Sequence, residues 1–265
     1  MPKSEQQHQQ FRDRYGPWAV VTGASSGIGK ELAIRLAASG IHLVLVARRA
    51  ELLEPLAATL AAAHAVSCRV VVLDLSQHDS MHTLFSKTDD LDIGLLIASA
   101  GFGTCGTLAE SDISNELEML DVNCRSLLQQ TWHFSRRFAD RGRGGVILLS
   151  SIVAFQGNPW SAHYSATKAY VQSLAEGLAL ELAPRGVDVL AVAPGPTATG
   201  FASRAGLKMG KAMNPADLAI PILNSLGRRT TVLPGFLSKL LAYALATLPR
   251  WARVRVMGMV MKGMN

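Results

Sequence analysis

Apolar residues along the chain follow two different periods. Short β-branched or aliphatic runs recur at 18–21, 42–47, 69–73, 93–97, 145–149 and 187–192. They are brief and nearly continuous, the mark of strands buried on both faces. Between them lie longer stretches whose apolar residues are spaced by three and four, at about 30–40, 51–63, 78–87, 112–120, 123–140, 162–182 and 215–226. That spacing predicts helices. A last short strand is expected at 230–233. Strict alternation of strand and helix predicts a parallel sheet covered on both faces, an α/β doubly wound fold of about seven strands. The organisation expected is a polar segment at 1–16, one domain over 17–235 and a basic, apolar helical extension at 236–265. In that extension a helix beginning at Phe236 is broken by Pro249, and a second segment runs from Trp251 to Met264.

The turn between the first strand and the first helix of the domain is Thr22-Gly23-Ala24-Ser25-Ser26-Gly27-Ile28-Gly29. A helix start points its free N–H groups outward, and glycines let an anion come close to them. The spacing is not G-x-G-x-x-G, but the mechanics are those of a Rossmann-type dinucleotide turn. A Gly-rich turn with no ligand is the plainer alternative, and the strand before and helix after weigh against it. Other polar or glycine clusters also follow strands: Asp74-Leu75, Ala98-Ser99-Ala100-Gly101, Ser150-Ser151 and Pro194-Gly195. In a doubly wound sheet ligands bind at those strand ends, so one site built from many loops is expected.

Tyr164 and Lys168 are four apart at the start of a helix and so share a face. A nearby ammonium favours the phenolate, and such a pair suits general acid/base work. Ser151, ending a strand thirteen residues before the tyrosine, can polarise the same oxygen.

Composition narrows the function classes. The 265 residues are 49% hydrophobic and 17% charged, which describes a globular chain. The net charge of +6 is uneven: residues 228–265 hold seven Lys/Arg and no Asp/Glu, leaving 19 against 20 elsewhere. The domain therefore lacks the basic character of a nucleic-acid binder. Cys68, Cys105 and Cys124 show no metal-ligand spacing and suggest free thiols in a reducing, cytoplasmic setting. Residues 1–17 lack the apolar core of a signal peptide, and no run of about twenty apolar residues predicts a membrane span.

Together, Thr22-Gly23-x-x-x-Gly27-x-Gly29, Asp74, Ala100-Gly101, Asn123, Ser151, Tyr164-x-x-x-Lys168 and Pro194-Gly195 stand in an order that resembles the short-chain dehydrogenase/reductase family over about residues 17–235. The resemblance implies an NAD(P)-dependent oxidoreductase. It makes Tyr164 the catalytic acid/base and gives Lys168 the nicotinamide ribose and the tyrosine pKa. Ser151, not Ser150, would orient the substrate carbonyl. Asn123 would hold a water linking Lys168 to solvent, Asp74 and Leu75 would contact adenine, and Thr199 would hold the carboxamide. One departure stands out: the family's Asn-Asn-Ala-Gly is here Ala98-Ser99-Ala100-Gly101, which puts local bracing of the sheet in doubt.

Ala47 replaces the acid expected at the end of the second strand of an NAD enzyme, and Arg48-Arg49 follow. A guanidinium there binds a 2′-phosphate, so NADP(H) is the expected cofactor. A solvated pair is the alternative, more credible for Arg49 than for Arg48. His163 reads as a cap or surface residue and His133 as a helix-face residue. Cys105 and Cys124 read as inert small hydrophobes near the site, and Phe155 and Trp160 as pocket lining or core. Phe201, Leu207, Met209 and Met213 furnish an apolar lid over about 196–213, hinting at an apolar carbonyl or alcohol substrate: ketone, aldehyde, 3-oxoacyl or steroid-like. A homodimer or homotetramer is expected. For residues 236–264, packing over the pocket or a partner subunit is favoured over peripheral membrane contact. The competing class is an NADPH-binding regulator or scaffold without turnover.

Overall fold

The computed structural model describes residues 3–206 and 212–263. Leu207 and Met209 of the expected lid, and Met264, lie outside them. The chain runs α1 (Lys3–Tyr15), β1 (Trp18–Thr22), α2 (Gly27–Ala38), β2 (His42–Ala47), α3 (Ala50–His64), β3 (Cys68–Val72), α4 (Ser80–Ser86) and β4 (Ile93–Ala98). Next come α5 (Ile113–Leu120), α6 (Leu127–Arg141), β5 (Gly144–Leu149), α7 (Ala162–Leu182) and β6 (Val187–Val192). Then follow α8 (Phe201–Ala205), α9 (Pro215–Ser225), β7 (Thr231–Val232), α10 (Phe236–Ala246) and α11 (Arg250–Lys262).

The seven strands form one sheet in the order β3-β2-β1-β4-β5-β6-β7, and every pairing is parallel. The chain starts in the middle, winds to one edge, then crosses back over β1 to build the other half. This is the expected doubly wound sheet. Both faces are covered: Val21, Leu45, Ile97, Ile147 and Leu190 point into one core, and Val20, Val44, Leu96, Val146 and Val189 into the other. The alternation along each strand explains the unbroken apolar runs, because a parallel strand between two helical layers has no wet side. α2, α3 and α9 fill the first layer; α4, α6 and α7 fill the second. The C-terminal ends of all seven strands lie at one edge, where the polar clusters gather.

Two elements differ from the sequence expectation. The polar segment 1–16 carries a helix, α1, although its residues are mostly exposed. Its far end supplies the reason. Tyr15 is buried and donates its hydroxyl to Asp188 Oδ2 on β6 at 2.7 Å, with Arg14 Nε on the same oxygen at 2.6 Å. The helices expected at 112–120 and 123–140 are one continuous helical run: α5 passes into α6 through a wide π-type turn, Asp121–Ser126.

Candidate active site

β1 leads into α2 through the glycine-rich turn. Gly23 has φ +69°, a left-handed conformation that favours glycine, and a Cβ there would lie 2.9 Å from the Ala100 backbone. The turn can therefore lie flat against the end of β4. Ser26 caps α2 through its backbone geometry alone, with no side-chain bond, and the first turn of α2 holds no acidic residue. The helix start thus keeps its N–H groups and positive dipole end for an anion. These features fit a dinucleotide pyrophosphate. Beside them Arg49 Nη2 donates to Ser25 Oγ at 3.0 Å and Ser26 Oγ at 3.2 Å. Arg49 is exposed, as the alternative reading has it, and at the same time closes on the turn itself. Arg48 reaches across to Glu118 Oε1 on α5 at 3.3 Å.

Asp74 follows β3 and accepts from the Ser76 backbone and hydroxyl at 3.0 and 2.8 Å. Partial burial raises its pKa, but those bonds and nearby Arg48 win, and the carboxyl sits below its ordinary value. Leu75 is buried in the sheet's second core. At the end of β4, Ala98 packs in that same core. Bracing comes instead from Thr22: its hydroxyl donates to Ile97 O at 3.5 Å and accepts from Ala100 N at 3.4 Å. The missing asparagine at 98 is thus offset by a threonine on the neighbouring strand.

The catalytic candidates converge at the ends of β4 and β5 and the start of α7. Ser150 and Ser151 separate cleanly. Ser150 Oγ donates to the Lys168 carbonyl at 3.1 Å and holds α7 against the sheet. Ser151 Oγ accepts from Val153 N at 3.4 Å and lies close enough to Tyr164 to act on its phenol. Burial raises the Tyr164 pKa well above its ordinary value, and the Ser151 hydroxyl opposes that rise. Lys168 is buried; its Nζ donates to Leu149 O at 2.8 Å and lies 5.8 Å from the centre of the Tyr164 ring. Desolvation pulls its pKa down from 10.5 to about 8, against a small upward pull from Cys124. The expected lowering of the phenol by this ammonium is not what dominates here: burial of the ring does.

Asn123 sits in the π-type turn, buried. Turns of this kind are rare and occur often at functional sites. Asn123 Oδ1 accepts from Phe102 N at 3.1 Å, and its Nδ2 donates to Phe102 O at 2.9 Å and Thr167 Oγ1 at 3.0 Å. The amide thereby ties the loop after β4 to the first turns of α7. Gly101 lies against it: a Cβ there would come within 2.9 Å of Asn123 Oδ1 and 3.3 Å of Lys168 Nζ.

The segment after β6 folds over this centre. Gly195 N donates to Ser238 Oγ at 2.9 Å. The Thr199 hydroxyl accepts from Phe201 N at 3.2 Å, and a Cβ on Gly27 would meet the Thr199 methyl at 2.8 Å. The Phe201 ring lies 5.1 Å from that of Tyr164. Arg204 stacks over Phe102 at 3.5 Å and donates to Glu118 Oε1 at 2.9 Å, so Arg48 and Arg204 share one carboxylate. On the other side, α11 lays Gly258 against Pro159 and Trp160, with Val254 near Gly157. Met257 and Met261 are buried.

His163 is neither a cap nor a free surface residue. Its Nδ1 lies 2.7 Å from Oε2 of buried Glu116 on α5. His133 stacks on Phe85 at 3.8 Å, and burial lowers its pKa. Cys124 is buried and its thiol is pushed up to about 11, so it stays protonated. Among the described residues no cluster of His, Cys, Asp and Glu could hold a metal. Glu116, Glu118, Thr167 and Arg204 escaped the sequence reading. Lone acids on an amphipathic helix look like a solvated face, and nothing local to them marks the fold that brings them here.

With this geometry in place, the relatives can be read. Residues 17–209 match the family described as short chain dehydrogenase. The chain belongs to the short-chain dehydrogenase family. A 7beta-hydroxysteroid dehydrogenase of Clostridium sardiniense is 34% identical over 233 residues, 86% of this chain and 89% of that one. A very-long-chain 3-oxoacyl-CoA reductase of Phaeosphaeria nodorum is 32% identical over 219 residues, 80% of this chain and 64% of that one. Among solved structures, one from a study of 7beta-hydroxysteroid dehydrogenase stereoselectivity superposes with a TM-score of 0.86 at 30% identity, covering 93% of this chain and 98% of that one. A short-chain dehydrogenase of Sphingobium yanoikuyae in complex with NADPH gives 0.79 at 30% identity, covering 88% and 94%. As a member of the short-chain dehydrogenase family, this chain is a nicotinamide-dependent oxidoreductase acting on a small molecule.

Proposed function

We propose that this protein is an NADP-dependent reductase or dehydrogenase of an apolar carbonyl/alcohol pair, with Tyr164 as acid/base. The observation that carries the reading is the convergence of the Ser151 and Tyr164 hydroxyls, with the Lys168 ammonium one helical turn along, at the strand ends beside a helix start that no side chain caps. Thr22, Gly23, Ser25, Ser26, Gly27, Ile28 and Gly29 would hold the pyrophosphate side of NADP(H). Arg48 and Arg49 would hold the 2′-phosphate, Asp74 and Leu75 the adenine, and Ala100, Gly101, Pro194, Gly195 and Thr199 the nicotinamide half. Bound there, NADPH supplies a hydride. The residues of the chain supply the rest. Ser151 donates a hydrogen bond to the substrate carbonyl oxygen. Tyr164 delivers the proton that turns this oxygen into a hydroxyl, and its raised pKa keeps that proton in place at neutral pH. Lys168 offsets the charge left on the phenol oxygen, and Asn123 fixes the backbone around it.

The apolar substrate rests on Phe201 facing Tyr164 and on the apolar roof of α11; similarity to hydroxysteroid dehydrogenases and 3-oxoacyl reductases supports it. The division into 17–235 and 236–265, a cytoplasmic location and a homodimer or homotetramer belong to the same proposal. Exposed Leu117, Leu128, Trp132 and Tyr170 on α5–α7 offer an apolar face to a second copy. Membrane contact through the extension is taken up below. The test is oxidation of NADPH and NADH by the full chain with keto steroids, 3-oxoacyl thioesters, simple ketones and aldehydes, beside Tyr164→Phe. We expect turnover with NADPH on at least one class, and its loss in Tyr164→Phe with NADPH binding retained. Near-normal turnover in the variant rejects the mechanism.

A further inference from the structure

α10 and α11 turn their larger apolar residues outward. On α10 the inward stripe is Ser238, Ala242 and Leu245, with Ser238 fully buried against Gly195. The outward stripe is Phe236, Leu240 and Tyr243, spaced by four and three; Phe236 is 80% and Tyr243 65% exposed. This inverts the amphipathic pattern of a helix that packs on its own domain. On α11, Gly258 and Val254 face the loop at 157–160 and Met257 and Met261 are buried, while Trp251, Arg255 and Met259 recur every four residues and are exposed. Trp251 is 64% and Met259 69% exposed. An apolar patch of this extent marks a contact surface.

The charges choose among occupants. Lys239, Arg250, Arg255 and Lys262 surround the patch and all are exposed, with no acidic residue from 228 onward. Arg255 lies 5.2 Å from the centre of the Trp251 ring, the amphipathic pairing suited to a headgroup boundary. A second copy docked here face to face would set cation against cation. The apolar face proposed above for a second copy is a different one, on α5–α7. Arg253 ties the two helices together at their bend, donating to Leu248 O at 2.8 Å and Ala246 O at 2.9 Å, so the outward residues stand on a braced pair.

We infer that α10 and α11 dock the protein on an anionic phospholipid surface, Phe236, Tyr243, Trp251 and Met259 entering the interface and the four cations meeting headgroups. The docking does not depend on the assigned chemistry, and its readout is physical.

The experiment is co-sedimentation of the full chain with phosphatidylglycerol-containing vesicles and with pure phosphatidylcholine vesicles, at low and raised salt. Binding is expected to the anionic vesicles only, weakening with salt. Arg250→Gln with Arg255→Gln should lower it by about fivefold per charge, roughly twenty-five-fold together. Phe236→Ser with Tyr243→Ser should also abolish it, while NADPH binding stays as in the parent. Equal sedimentation with both vesicle types, no binding at low salt, or variants that bind as the parent does would overturn the inference. So would a mass by light scattering that halves in Phe236→Ser with Tyr243→Ser, since that assigns the patch to a second copy.

Discussion

Lys168 is an ammonium buried among backbone and ring atoms, with a pKa pulled from 10.5 to about 8. Between those values the unfolded chain holds a proton that the native one has released, so stability rises with pH across that window. The full span is about 3 kcal/mol. Replacing Lys168 with Met removes this linkage. Urea unfolding of both proteins from neutral to alkaline pH should show the parent gaining on the variant above about pH 8. A constant difference would contradict burial of the charge. Glu118 invites a second test, since it holds Arg48 and Arg204 at once. Glu118→Gln frees Arg48 for a 2′-phosphate and removes a competing anion. NADPH should bind up to about fivefold tighter, the scale of an exposed ion pair. Titration followed by nicotinamide fluorescence measures it; weaker binding would mean that Glu118 positions Arg48 instead of competing for it. Ala47→Asp with Arg48→Ala should shift the preference toward NADH, and an unchanged ratio of the two affinities would remove Arg48 from the site.

At the scale of elements, each strand and each longer helix of the domain was legible because burial on two faces or one leaves a period in the sequence; the five residues of α8, read as loop, are too few to show one. What else stayed hidden depends on long-range contacts. α1 forms from a polar stretch because Tyr15 and Arg14 find Asp188, 173 residues on. The π-type turn carries no local signature, yet it points Asn123 at Phe102 and Thr167. His163 seemed superficial because its partner, Glu116, comes from a different helix. The serines at 150 and 151 were separable only by distance to the tyrosine, and the structure gives each its own partner. One glycine tests the whole junction. Gly101→Ala would press a methyl onto Asn123 Oδ1 and Lys168 Nζ. Displacing both groups should lower kcat/KM by about a hundredfold, the scale of a misplacement near 1 Å. Chemical denaturation should show a much smaller effect, and an unaffected rate would mean that the site relaxes around the methyl.

For the molecule as a whole, chemistry and enclosure come from different parts of the chain. The proposed acid/base groups stand just after β5 and on α7, while the roof comes from α8, α10 and α11. Deleting 236–265 strips the cover from Pro159 and Trp160 and frees the Gly195 amide from Ser238. Burial of Met257 and Met261 alone implies a loss of roughly 3–5 kcal/mol. A denaturant midpoint that does not move would show that the extension is no part of the fold. The Tyr15–Asp188 contact has a consequence of another kind. A ribosome releases this chain from its first residue, and α1 emerges long before β6 exists. β4 and β5 offer the first helix a surface before β6 exists, but its phenol waits for an aspartate not yet translated. Locking of the N-terminus onto the sheet is therefore a late event. Nascent chains stalled before residue 188 should leave Phe11 and Tyr15 open to protease, and chains stalled well beyond it should not.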